Sequence, residues 1–284
     1  MHRSTFVAII VSLLVTFFYY SFHIGLNTEH VFYLRYATSS MAIVESRFLV
    51  SPLYLILNEP LWLIINVTLT HILGHPVIVI SVMFYFVILV KVFYVVKHSY
   101  QFWPLYFILF FDPNFYLHLR QQVAIALFLF LVLIGKRKIA TILSSLTHII
   151  MISAFLPVFR RFLLRYWFIL AIFMLTIACI GPDMPRQLSN IGSERLVKSG
   201  LGLILYSFVF LIMIRYKTYS LDGVMAKYYL GFYVGSYFFM DLPQRFLIVS
   251  FPFILVYASK ISDRVFRNLS YLLLHIPLFK DLIF

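Results

Sequence analysis

Four ionisable residues stand where an apolar chain should have none. Arg120 opens HLRQQVAIALFLF, Glu59 precedes Pro60 in LNEPLWLIIN, His148 lies inside LSSLTHIIMIS, and Arg245 begins the apolar run of MDLPQRFLIVSFPF. A guanidinium is permanently charged and forks onto paired oxygens of a phosphate or carboxylate. A carboxylate or an imidazole within hydrogen-bonding reach of a hydroxyl can take its proton. Together these residue types supply a fixed cation for an anion and a base for a nucleophile. Each also has a plainer use: Arg120 as a side chain snorkelling to lipid phosphates, Glu59 as a negative charge at a helix start, His148 as a hydrogen-bonded core residue, and Arg245 as the partner of Asp241. Gln121, next to Arg120, either orients a hydroxyl or caps backbone.

What makes these positions informative is their surroundings. The chain of 284 residues is 63% hydrophobic and 12% charged, with a mean hydropathy of +0.96. That composition excludes an ordinary soluble domain and predicts an all-α polytopic integral membrane protein forming a single transmembrane domain over residues 1–284. An ionisable group at membrane depth costs about 2.5 kcal/mol or more unless it is paired or faces water. Apolar windows near 5–24, 58–73, 76–96, 101–111, 119–135, 139–158, 166–181, 199–214, 228–240 and 245–258 predict about ten membrane segments. The first reads as a retained signal anchor, since residues 5–22 lack a small-x-small cleavage site. Pro104 and the Asp112-Pro113 pair make 101–111 a candidate re-entrant half-helix.

The net charge of +13 does not indicate nucleic acid. The basic residues cluster beside apolar windows: Lys136 to Lys138, Arg160, Arg161 and Arg165, Arg215 with Lys217 and Lys227, and Lys260 with Arg264 and Arg267. Such clusters mark cytoplasmic loops. Residues 25–57, 182–198 and 241–245 then fall outside, together with Arg120, and parity closes only if 101–111 or 139–158 turns back. Cys179 is the sole cysteine, which excludes an intrachain disulfide, and the nine histidines have no ligand spacing. No metal and no cofactor is expected.

LNEPLWLIIN, HLRQQVAIALFLFLVLIGKRK, LTHIIMISAFLPVF and QRFLIVSFPFIL follow one another in the order and rough spacing of the EpsG-like branch of Wzy polysaccharide (O-antigen) polymerases, which this chain resembles over about residues 55–258. The chain departs from the pattern in its 25–57 loop, which has Tyr33, Arg35, Tyr36 and Glu45 instead of an aspartate–tyrosine pairing, and in its shortness. The resemblance implies a metal-independent glycosyltransferase with a GT-C-like architecture. Such an enzyme joins undecaprenyl-pyrophosphate-linked oligosaccharide units at the outer face of a bacterial inner membrane. A chain-length regulator and a flippase of the same pathway are its implied partners. On that reading Arg120 and Arg245 hold the pyrophosphate, Glu59 or, second, His148 is the base, and Gln121, Tyr116 and Tyr237 contact sugar. Most of the other aromatic residues belong to lipid-facing surfaces and interfacial belts. An O-antigen ligase-like transferase, a membrane acyltransferase and a polar-lipid transporter are the alternatives.

Overall fold

The computed structural model describes residues 3–23, 28–50, 59–99, 118–159, 201–217, 220–237 and 244–283. Every element among the described residues is helical: α1 (Arg3–His23), α2 (Thr28–Val50), α3 (Pro60–Leu73), α4 (Pro76–Ser99), α5 (Leu119–Leu133), α6 (Arg137–Thr147), a 3-10 segment (Ile149–Ala154), the single turn α7 (Phe155–Val158), α8 (Leu201–Arg215), α9 (Leu221–Ser236), α10 (Gln244–Ser259) and α11 (Arg264–Ile283). The all-α expectation therefore holds. The count of ten segments does not emerge: among the described residues one helix, α4, is long and apolar enough to cross a membrane, and the other apolar helices are shorter. The windows 101–111 and 166–181, with Tyr116, Asp241 and Cys179, lie outside the described residues.

Three stretches differ from the sequence reading for identifiable reasons. Residues 28–50, expected as part of an outer loop, form α2, because a helix interrupted by polar residues escapes a hydropathy window and still packs. Tyr33 meets Trp62 edge-on at 6.0 Å, and Thr70 Oγ1 donates to the Ala37 carbonyl at 3.2 Å. Residues 139–158, expected as one segment, break at His148, whose backbone is extended at φ −152° and ψ 128°. Residues 264–283, placed in no segment, form α11, tied to α10 by the Tyr271 hydroxyl donating to the Leu255 carbonyl at 2.8 Å.

The core is formed chiefly by α4, α5, α9 and α10. In α5 the small Ala124 and Ala126 are fully buried, and small residues let helices approach closely. Phe253 of α10 packs edge-on against Phe128 of α5 and Tyr94 of α4, with centroids 6.0 Å apart in both pairs. The outer faces are apolar: Phe6, Phe17, Ile64, Ile72, Phe208, Leu211 and Leu272 are each more than half exposed. Helix α6 is inside-out, with Thr141, Ser144 and Thr147 fully buried while Ile139 and Ile142 are exposed.

Candidate functional site

Three of the four singled-out residues meet. Glu59 is the N-cap of α3, Arg120 lies in the first turn of α5, and His148 sits at the break after α6. Arg120 Nη1 is 2.8 Å from Glu59 Oε2, a charge contact whose geometry is not that of an aligned hydrogen bond. His148 Nε2 is 3.7 Å from Glu59 Oε1. The carboxylate is 2% exposed and the arginine side chain 18%, so Arg120 forms the more open side of the cluster and Glu59 the buried one.

Local backbone explains how the chain holds this arrangement. Glu59 (φ 61°) and His118 (φ 62°) are the only non-glycine residues with positive φ among those described. Each is the residue before a helix. L-residues resist this conformation, and such strain gathers at sites that need it. Pro60 supports one of these turns by fixing the first helical φ. The Glu59 carbonyl accepts from Leu63 N–H, and the His118 carbonyl accepts from Gln122 N–H at 3.0 Å.

At His148, Nδ1 accepts a hydrogen bond from Ile150 N–H at 3.2 Å. That bond assigns the proton of a neutral ring to Nε2, the nitrogen facing Glu59. The helix break thus aims the imidazole at the carboxylate. Arg120, Arg245 and His118 are all close enough to act electrostatically on His148.

Arg245 joins through its neighbour. Gln121 is buried, and its amide donates to the Arg245 carbonyl at 2.7 Å, so Gln121 fastens α5 to the start of α10. Tyr237 follows the last residue of α9, buried and edge-on to Tyr233 at 5.7 Å. It ends the row Tyr229, Tyr233, Tyr237 on one face of that helix.

No family model, curated protein or solved structure matches the chain. The arrangement is therefore read from its own chemistry.

Two polar groupings were not assembled from the sequence. Lys91, fully buried in α4, donates to Gln122 Oε1 at 2.6 Å. The cue was a lysine inside the one described helix long and apolar enough to cross a membrane, and a paired glutamine two residues past Arg120. The second grouping is Asp222 at the start of α9, which accepts from the Tyr94 hydroxyl and from Lys260 Nζ at 2.9 Å. Arg137 also acts on Tyr94, so the basic turns after α5 and α10 converge there. Helices α5 and α10 each run from the Glu59 cluster to this second cluster, about 22 Å along α10 at 1.5 Å per residue.

Proposed function

We propose that this chain is an integral membrane glycosyltransferase of the EpsG-like, Wzy polymerase kind. It joins oligosaccharide units carried on undecaprenyl pyrophosphate at the outer face of a bacterial inner membrane. The observation that carries the reading is the convergence of Glu59, Arg120 and His148 from three separate segments into one largely buried cluster with a partly open arginine. The apolar outer faces and the inside-out α6 support a lipid surround. The finer architecture, about ten membrane segments with a re-entrant 101–111 and a GT-C-like plan, belongs to the same proposal.

In the resting site Glu59 is the counter-ion of Arg120. An arriving lipid diphosphate offers the guanidinium more oxygen charge, draws it outward and leaves the carboxylate able to accept a proton. The acceptor hydroxyl oxygen then attacks the anomeric carbon, its proton passes to Glu59, and the carbon–oxygen bond to the pyrophosphate breaks with its electron pair leaving on phosphate. Arg120 and Arg245 stabilise the charge that develops there. His148, with its proton toward Glu59, orients the carboxylate. That geometry favours Glu59 over His148 as base, while Gln121 positions Arg120 by holding α5 to α10.

The test is a surface-polysaccharide gel from cells deleted for this gene and complemented with wild type or with Arg120→Ala. Collapse of the ladder to a single-repeat band, with normal amounts of protein in the membrane, is the expected result. Loss of every repeat-bearing band places the protein in export or ligation, and an unchanged ladder removes the proposal.

A further inference from the structure

The polar side of α3 continues below Glu59 and has no part in that transfer. Trp62 and Asn66 follow the N-cap Glu59 at spacings of three and four, which puts Trp62 and Asn66 on one side of the helix. Trp62 and Asn66 are each about 1% exposed. Asn66 Nδ2 donates to the Trp62 carbonyl at 2.8 Å, folding the amide back toward the Glu59 end. Because a carbonyl only accepts, that bond identifies which end of the amide is oxygen.

Three polar atoms remain over. Asn66 Oδ1, Trp62 Nε1 and Arg120 Nε are buried and have no hydrogen-bond partner among the described residues. Unpaired groups of this kind are rare in native folds, and here two lie on the helix that Glu59 caps and the third on the arginine that pairs with Glu59. The set holds two N–H donors and one acceptor, with a carboxylate at the end. A phosphate would set its oxygens against Asn66 Oδ1 and Glu59, and a cation would face the N–H groups of Trp62 and Arg120. A hydroxyl both donates and accepts, so a neutral, hydroxyl-rich molecule satisfies every member.

We infer that Trp62 and Asn66 form the subsite that receives hydroxyls of the acceptor sugar, with Glu59 at its head. The inference rests on the transferase reading and extends it from the group that takes the proton to the groups that hold the sugar. The row descends about 10 Å from Glu59 to Asn66, so it presents partners for more than one hydroxyl. Tyr33, edge-on to the indole, fixes the ring that carries the donor.

Trp62→Phe keeps an aromatic ring beside Tyr33 and deletes the N–H, together with the pyrrole ring that carries it. Asn66→Leu deletes the acceptor, and Asn66→Thr returns a hydroxyl. Each is made in the full chain, expressed in the deletion strain and scored for polymer ladder, membrane abundance and thermal melting in detergent. Asn66→Leu is expected to melt at or above the wild-type temperature, because an unpaired buried group has gone, while Trp62→Phe is expected to melt below it because the smaller ring leaves a cavity. Both are expected to make about tenfold less polymer, with Asn66→Thr recovering part of the loss. A full ladder per unit of membrane protein from both variants, beside a collapsed ladder from Arg120→Ala, shows that the groups are merely unpaired or hold water, and overturns this inference alone. A full ladder from Arg120→Ala overturns the transferase reading on which it rests. If Trp62→Phe accumulates poorly, Asn66→Leu decides in the same way.

Discussion

At Glu59 the two demands on a buried carboxylate meet: it balances Arg120 at rest, and in the proposed reaction it must let that cation go. Removing one partner of a buried pair leaves the other charge exposed to the low-dielectric interior, and this is worse than removing both. Glu59→Gln should therefore lose about 2–3 kcal/mol of stability, and Glu59→Gln with Arg120→Gln should recover part of that loss. Thermal melting of the purified chain in detergent measures both, and a double variant less stable than the single one would contradict the pairing. Polymer should be absent from both, since neither retains the base. These residues were legible in the sequence because a charge inside an apolar run is conspicuous. Their pairing was not, because nothing local records that residue 59 meets residue 120. Trp62 and Asn66 carried a weaker cue: four residues apart, they share one side of α3 after Glu59, but an indole and an amide in an apolar helix pass as ordinary packing.

The helices matter to this site chiefly through how they begin and break. Both Glu59 and His118 adopt a left-handed conformation at a helix start, and His148 interrupts what reads as one apolar segment. Hydropathy sees composition alone, so it joined residues across the break at His148 and passed over α2, whose polar residues dilute its window. The cap geometry has a direct consequence. At His118, a Cβ in the left-handed region costs about 1 kcal/mol that glycine does not incur. His118→Gly should be more stable than His118→Ala by about 1 kcal/mol. Equal melting temperatures for the two would mean that the turn before α5 is not held left-handed. Gly135, also at positive φ, has nothing within 4 Å of the place a Cβ would occupy. Backbone strain alone then sets the effect of Gly135→Ala, a loss of about 1 kcal/mol by the same melting measurement.

At the scale of the whole molecule, the Glu59 and Asp222 clusters are joined by apolar helices among the described residues. Arg120 and Arg245 lie at the starts of α5 and α10, which meet through Gln121 and again through Phe128 and Phe253. Beyond their other ends lie Arg137, which acts on Tyr94, and Lys260, which pairs with Asp222. Charge alone predicts the basic turns on one side, and the fold pairs Lys260 with Asp222 and brings Arg137 within electrostatic reach of Tyr94, neither of which a hydropathy plot contains. If lipid covers the apolar faces between the clusters, the two ends must differ in chemical accessibility. In a Cys179→Ser background, Lys138→Cys and Arg264→Cys should react with a membrane-impermeant thiol reagent only after the inner membrane is opened. His118→Cys, beside the acid–guanidinium pair, should react in intact cells whose outer barrier has been permeabilised. Labelling of all three from one side would break the shared orientation of α5 and α10 across a bilayer, and with it the placement of the site at the outer face. Opposite labelling would put Arg120 where a lipid-linked diphosphate presents its charge, and would leave the acceptor to approach along α3.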